Sequence, residues 1–146
     1  MNLTADSLYD TITEKVVFEG ENMLARFHDE NSMYLYCVTD RSTANIIINN
    51  RCSYPIKLYE NPYIANKVVE NTNISNKVTL RFAVNLNHGY VYDSLTMTPD
   101  MVKEHKNLSV EQYIKQCSYT RTINKTHKVI EYTINSPQPI INVQIV

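Results

Sequence analysis

Residues 76–87 read NKVTLRFAVNLN, and residues 89–98 continue as GYVYDSLTMT. In the first stretch Val78, Leu80, Phe82 and Val84 recur at every second position, with Thr79, Arg81 and Ala83 between them. A period of two places one set on one face of a pleated strand and the other set on the opposite face. That alternation decides the fold class: this is a β-rich chain with at least one strand half-buried against a core.

Working outward, the same signal recurs. MLARFHD and MYLYCVTD flank ENS, a loop length suited to a hairpin. ANIIIN is β-branched, apolar and bounded by Asn49-Asn50, and it reads as a strand. YPIKLYE carries a proline, which suits an edge or a strand start. SYTRTIN and HKVIEYTIN flank a short Lys125-Thr126 turn, and Pro137 and Pro139 interrupt the chain before IINVQIV. Strands separated by turn signals at about 8–12 residues form the pattern of a sandwich or barrel.

Two segments depart from it. Residues 4–15 start at a capping residue, Thr4 or Asp6, and place Leu8 and Ile12 four apart, which fits a short N-terminal helix. Between residues 98 and 117 the period changes again. Thr98-Pro99 pairs an N-cap with proline at the first helical position, and Ser109 with Gln112 has the form of a capping box. Val110, Tyr113, Ile114 and Cys117 then make one apolar stripe. The expectation is one domain over residues 1–146: a mainly β, antiparallel sandwich or barrel with a short N-terminal helix and a two-helix insertion near residues 98–117. Helices between successive strands, as a parallel α/β sheet requires, are not read.

Composition narrows the function classes. The 146 residues are 43% hydrophobic and 20% charged, so a packed core is affordable to the chain and disorder is not expected. Fourteen basic and fifteen acidic side chains give a net charge of −1, without the basic excess usual in nucleic-acid binders. No apolar run approaches the roughly 20 residues of a membrane span. The polar first fifteen residues do not read as a signal peptide, so a cytoplasmic location is the expectation, and the four Asn-X-Ser/Thr sequons are read as by-products of composition.

Only two glycines occur, and asparagine stands where turns are expected, as in INNRC, ENTNISNK and NLNHG. Asparagine tolerates the left-handed backbone better than other residues with a β-carbon. Such a chain fits an A/T-rich coding genome, as in viruses and some parasites, and a viral accessory or structural protein in the host cytoplasm is one expectation. The scarcity of glycine also excludes a P-loop, a dinucleotide fingerprint and a nucleophile elbow, each of which needs glycines at fixed offsets.

The stretch richest in reactive groups is LNHGYVYD, residues 86–93. A catalytic reading makes His88 a general acid or base assisted by Asp93 or a tyrosine. A structural reading makes Asn87-His88-Gly89 the loop of an antiparallel hairpin, with Gly89 supplying positive φ. In that hairpin His88 and Asp93 would be roughly 16 Å apart along the strand. Tyr90 and Tyr92 would share a face and serve as candidate binding residues. His28, His88, His105 and His127 are scattered without ligand spacing, and Cys37, Cys52 and Cys117 form no CxxC pair, so no metal and no cofactor are expected.

Eleven tyrosines interleave with basic residues in KLYENPYIANK and YTRTINKTHK, which allows a second alternative, base stacking of single-stranded nucleic acid on a sheet face. The last strand is apolar on both faces, with Ile141, Val143 and Ile145 as candidate binding residues. It either completes the core or adds to a partner's sheet. The reading these features favour is a non-enzymatic protein-interaction or assembly module that binds a protein partner or itself. A small hydrolase or transferase using residues 88–93 is the first alternative.

Overall fold

The computed structural model describes residues 27–29 and 32–146. The N-terminal helix expected over residues 4–15 lies outside these. Eight strands and four helices follow in order: β1 (Phe27–Asp29), β2 (Ser32–Asp40), α1 (Arg41–Ile48), β3 (Ile56–Leu58), α2 (Pro62–Val69), β4 (Lys77–Asn85), β5 (Tyr90–Asp93), α3 (Pro99–Lys106), α4 (Val110–Ile114), β6 (Cys117–Asn124), β7 (Val129–Ile134) and β8 (Ile140–Ile145). They form two four-stranded sheets, ordered β1-β2-β4-β8 and β3-β7-β6-β5. The chain is mainly β, and the described strands do not close into a barrel.

The alternation in β4 sets the core. Leu80, Phe82 and Val84 are fully buried, and they join Met33 and Leu35 of β2 with Leu58, Tyr119, Tyr132 and Ile134 of the other sheet in one cluster. Each such side chain contributes roughly 1.5–3 kcal/mol on leaving water. The sheets also meet through backbone. Tyr36 N–H donates to Tyr59 O at 2.7 Å, and Tyr59 N–H donates back to Tyr36 O at 2.8 Å. This bridge continues the pairing from β2 into the segment just after β3, and among the described strands β8 and β5 lie at the far ends of the two linked sheets.

Two readings of the sequence are corrected. ANIIIN belongs to α1, not to a strand. Asp40 caps this helix by accepting from Thr43 N–H at 2.7 Å, and Ala44 and Ile47, three apart, turn inward. Local β-propensity yields to that cap and to the burial of one helical face. The second correction concerns LNHGYVYD, which is no hairpin. β4 and β5 lie in different sheets, and β5 pairs with β6 in parallel: Val91 with Tyr119, Tyr92 with Thr120, Asp93 with Arg121. A parallel pair needs a long crossover connection. The α3–α4 segment is that connection, so the expected helical insertion is present and makes one strand pair parallel where an all-antiparallel sheet was expected.

The helix and turn signals act as expected elsewhere. Thr98 and Ser109 cap α3 and α4, the latter with both halves of the capping box. Asn50, Asn76 and Asn107 adopt positive φ, the conformation for which glycine is otherwise used. Tyr113, Cys117, Tyr92 and Val102 form a second cluster that packs the two helices onto β5 and β6. No described helix is long and apolar enough to cross a membrane.

Candidate interaction surface

β8 is an edge. Its partner on one side is β4, with Leu80 opposite Ile145, Arg81 opposite Gln144, Phe82 opposite Val143, and a bulge where Ala83 meets Asn142 and Val84 meets Ile140. Ile140 and Val143 pack against the core. Ile141 and Val146 are more than half exposed, and Ile145 is 40% exposed. Sequence reasoning left open whether this strand completes the core or waits for a partner. The strand does part of each: one face leans on the core, while one backbone edge has no strand partner among the described residues.

Which backbone groups face outward follows from the ladder. Val146 N–H donates to Thr79 O at 3.0 Å. In an antiparallel pair the direction of the polar groups alternates along the strand. Asn142, Gln144 and Val146 therefore turn their N–H and C=O toward β4, while Val143 and Ile145 turn theirs outward. On the solvent face Arg81 Nη2 donates to Gln144 Oε1 at 2.6 Å, and the Arg81 guanidinium lies 4.3 Å above the Tyr34 ring.

Beside this edge runs a groove of about 730 Å³ lined by Ile47 and Ile48 of α1, Cys52, Tyr54, Ile140 and Val143 among others. No ionisable carboxylate or basic side chain lines it. Ile46 and Ile48 of α1 are exposed as well. Edge strands in monomers are usually protected by charge, proline or a bulge. β8 has its bulge near Ile141 and a proline just before it, but no charged residue occurs anywhere in residues 135–146.

The other candidate residues are placed as follows. His88 is exposed in the turn after β4, and its N–H reaches Asn85 O at 3.4 Å. Asp93 is inaccessible to solvent; its carboxylate accepts from Arg121 Nη2 at 2.7 Å and from Leu95 N–H at 3.0 Å. The fold thus gives Asp93 to Arg121. Tyr90 is exposed, tilted against the Tyr113 ring at 6.4 Å with Lys106 Nζ 4.8 Å above it, whereas Tyr92 is buried under α3 and α4. Six of the eleven tyrosines (Tyr36, Tyr59, Tyr92, Tyr113, Tyr119 and Tyr132) are buried, so the tyrosine-rich strands spend most of their rings on packing.

A polar cluster that sequence reasoning missed lies inside the fold. Arg121, almost wholly buried, faces Asp93, Tyr132 and Glu60. Burial pushes the Glu60 carboxyl up to about 7, with Arg121 pulling it down. Glu60 Oε1 is buried without a hydrogen-bond partner among the described residues. Nearby, Tyr59 Oη donates to Glu131 Oε2 at 2.7 Å, and Asn124 Nδ2 donates to the same oxygen at 2.9 Å. Burial pushes Glu131 up, but these bonds and Lys57 hold it below its ordinary value.

Burial raises Cys37 to about 12 and Cys117 to about 11, so both are protonated at neutral pH and poor nucleophiles. Among the described residues no group of His, Cys, Asp and Glu is placed to hold a metal ion. No protein-family model matches the chain, and neither a curated protein nor a solved structure matches it.

Proposed function

We propose that this protein is a non-enzymatic interaction or assembly module that takes an extended polypeptide onto the open edge of β8. In this reading the two sheets are the halves of a β-sandwich, left open along that strand. The observation that carries it is the juxtaposition of an uncharged, one-sided strand with a groove free of charged side chains and the exposed side chains of Ile141, Ile145 and Ile48. Strand addition draws affinity from main-chain hydrogen bonds and specificity from pockets for alternate side chains. Val143 and Ile145 offer the first, and the groove beside α1 offers the second. A composition poor in glycine and tryptophan is in keeping with a viral accessory or structural protein.

The test uses synthetic uncharged nonapeptides of alternating Val and Thr, together with versions interrupted by proline. The continuous peptides should bind and slow hydrogen exchange at the Val143 and Ile145 amides, and the interrupted ones should not. If no continuous peptide binds, or if protection appears elsewhere, strand addition at β8 is wrong.

A further inference from the structure

We infer that the strand received by β8 is β8 of a second copy, paired antiparallel about a two-fold axis through Gln144. The inference rests on the strand-addition reading and names its partner.

The backbone dictates the register. Val143 and Ile145 carry the outward N–H and C=O groups, and Gln144 between them faces β4. Bringing Gln144 opposite its own copy sets Val143 opposite the partner's Ile145 and Ile145 opposite the partner's Val143. Each of these positions then exchanges both of its backbone hydrogen bonds, so all outward groups of residues 143–145 are matched. The overlap runs over residues 142–146 and leaves the bulge at Ile141 outside it.

The side chains agree with that register. Val143 and Ile145 stand on the core-side face, since their partners on β4, Phe82 and Leu80, are fully buried. Pairing therefore sets β-branched chains against β-branched chains and extends the apolar face past the present edge. On the opposite face Gln144 meets Gln144 at a non-hydrogen-bonded site, where strands approach most closely. Its Oε1 already accepts from Arg81 and has a second lone pair, so two reciprocal amide bonds can form across the axis.

Charge permits a second copy here. About this axis only Gln144 meets itself, while Val143 meets Ile145 and Asn142 meets Val146, and residues 135–146 hold no charged side chain, so no like charges are set opposite each other. The surface is the same patch on both subunits, as a closed two-fold dimer requires.

The experiment combines sedimentation across a concentration series with two variants. Wild type should shift from monomer to dimer, and Ile145→Lys should weaken association by at least about tenfold. Gln144→Cys should form a disulfide-linked dimer in a glutathione buffer, which the wild type with its native cysteines should not; this arm stands even if the lysine variant folds poorly. Two results overturn the inference: a wild type that stays monomeric up to about 0.1 mM, or a dimer that survives Ile145→Lys while the Gln144→Cys thiols stay free. The Val/Thr peptides separate the two failures. A monomer that binds them at β8 has lost only the second-copy partner, whereas a monomer that binds none has lost strand addition as well.

Discussion

Asp93 of β5 and Arg121 of β6 stand opposite each other in a parallel strand pair, joined by a 2.7 Å ion pair that water does not reach. Twenty-eight residues separate them in sequence, and the α3–α4 crossover supplies most of that distance. The pair is therefore a product of the crossover: an antiparallel hairpin through Gly89 would have set β5 beside β4, away from Arg121.

Removing one partner should cost far more than removing both. Arg121→Met leaves the Asp93 carboxylate enclosed without its cation, for which breaking a buried pair costs about 3–5 kcal/mol. Asp93→Asn keeps an acceptor for Leu95 N–H but removes the anion paired with the guanidinium, which then faces only Tyr132 and Glu60. In the double variant neither charge remains, so its destabilisation should be well below the sum of the two singles. Urea denaturation of the four proteins measures this as a coupling energy. Additive costs would show that the pair contributes nothing as a pair.

Glu60 makes the folded chain sensitive to pH in a definite direction. Burial raises its carboxyl from 4.5 to about 7. Between those values the folded chain holds a proton that the unfolded chain releases, so stability falls as pH rises. The contribution is fully present below about 4.5 and lost once the pH passes about 7. A shift of this size corresponds to a difference on the order of 3 kcal/mol. Glu131, held below its ordinary value, acts in the opposite direction at lower pH. Comparing wild type with Glu60→Gln isolates the first effect: the variant should gain on wild type as pH rises from 5 to 8, read from melting temperatures. A constant gap between the two across that range would rule out titration of Glu60.

Much of the fold was legible because its signals are local. The alternation of Val78, Leu80, Phe82 and Val84, the Thr98-Pro99 start and the Ser109–Gln112 box each lie within one element, and each is found where it was read. Asn61-Pro62 carries the same N-cap and proline signal as Thr98-Pro99 and starts α2, a helix the sequence reading passed over. The helix through ANIIIN was hidden by three isoleucines with strand propensity, and its signals were Asp40 with Thr43 three residues on. Edge position and ion pairing are different in kind. That β8 ends a sheet, or that Arg121 meets Asp93, depends on which distant strands pair. A single sequence read by period and propensity does not encode that within any window.

Gly89 is where the chain leaves one sheet for the other, and two separate constraints act on it. Its φ is +69°, a conformation that costs a residue with a β-carbon about 1–2 kcal/mol. A β-carbon there would also run into Ser118 Oγ, on the strand that β5 pairs with. The hydroxyl can rotate away, whereas the Ser118 β-carbon, 3.3 Å from the same point, moves only with the strand. Gly89→Ala should therefore destabilise the chain by about 1–3 kcal/mol, combining the backbone term with a part of the clash. Adding Ser118→Ala should return the part due to the hydroxyl and leave the backbone term in place. Equilibrium unfolding of both variants separates the two. A Gly89→Ala protein as stable as wild type would mean that the crossover tolerates a different backbone path, and full recovery in the double variant would assign the whole cost to Ser118.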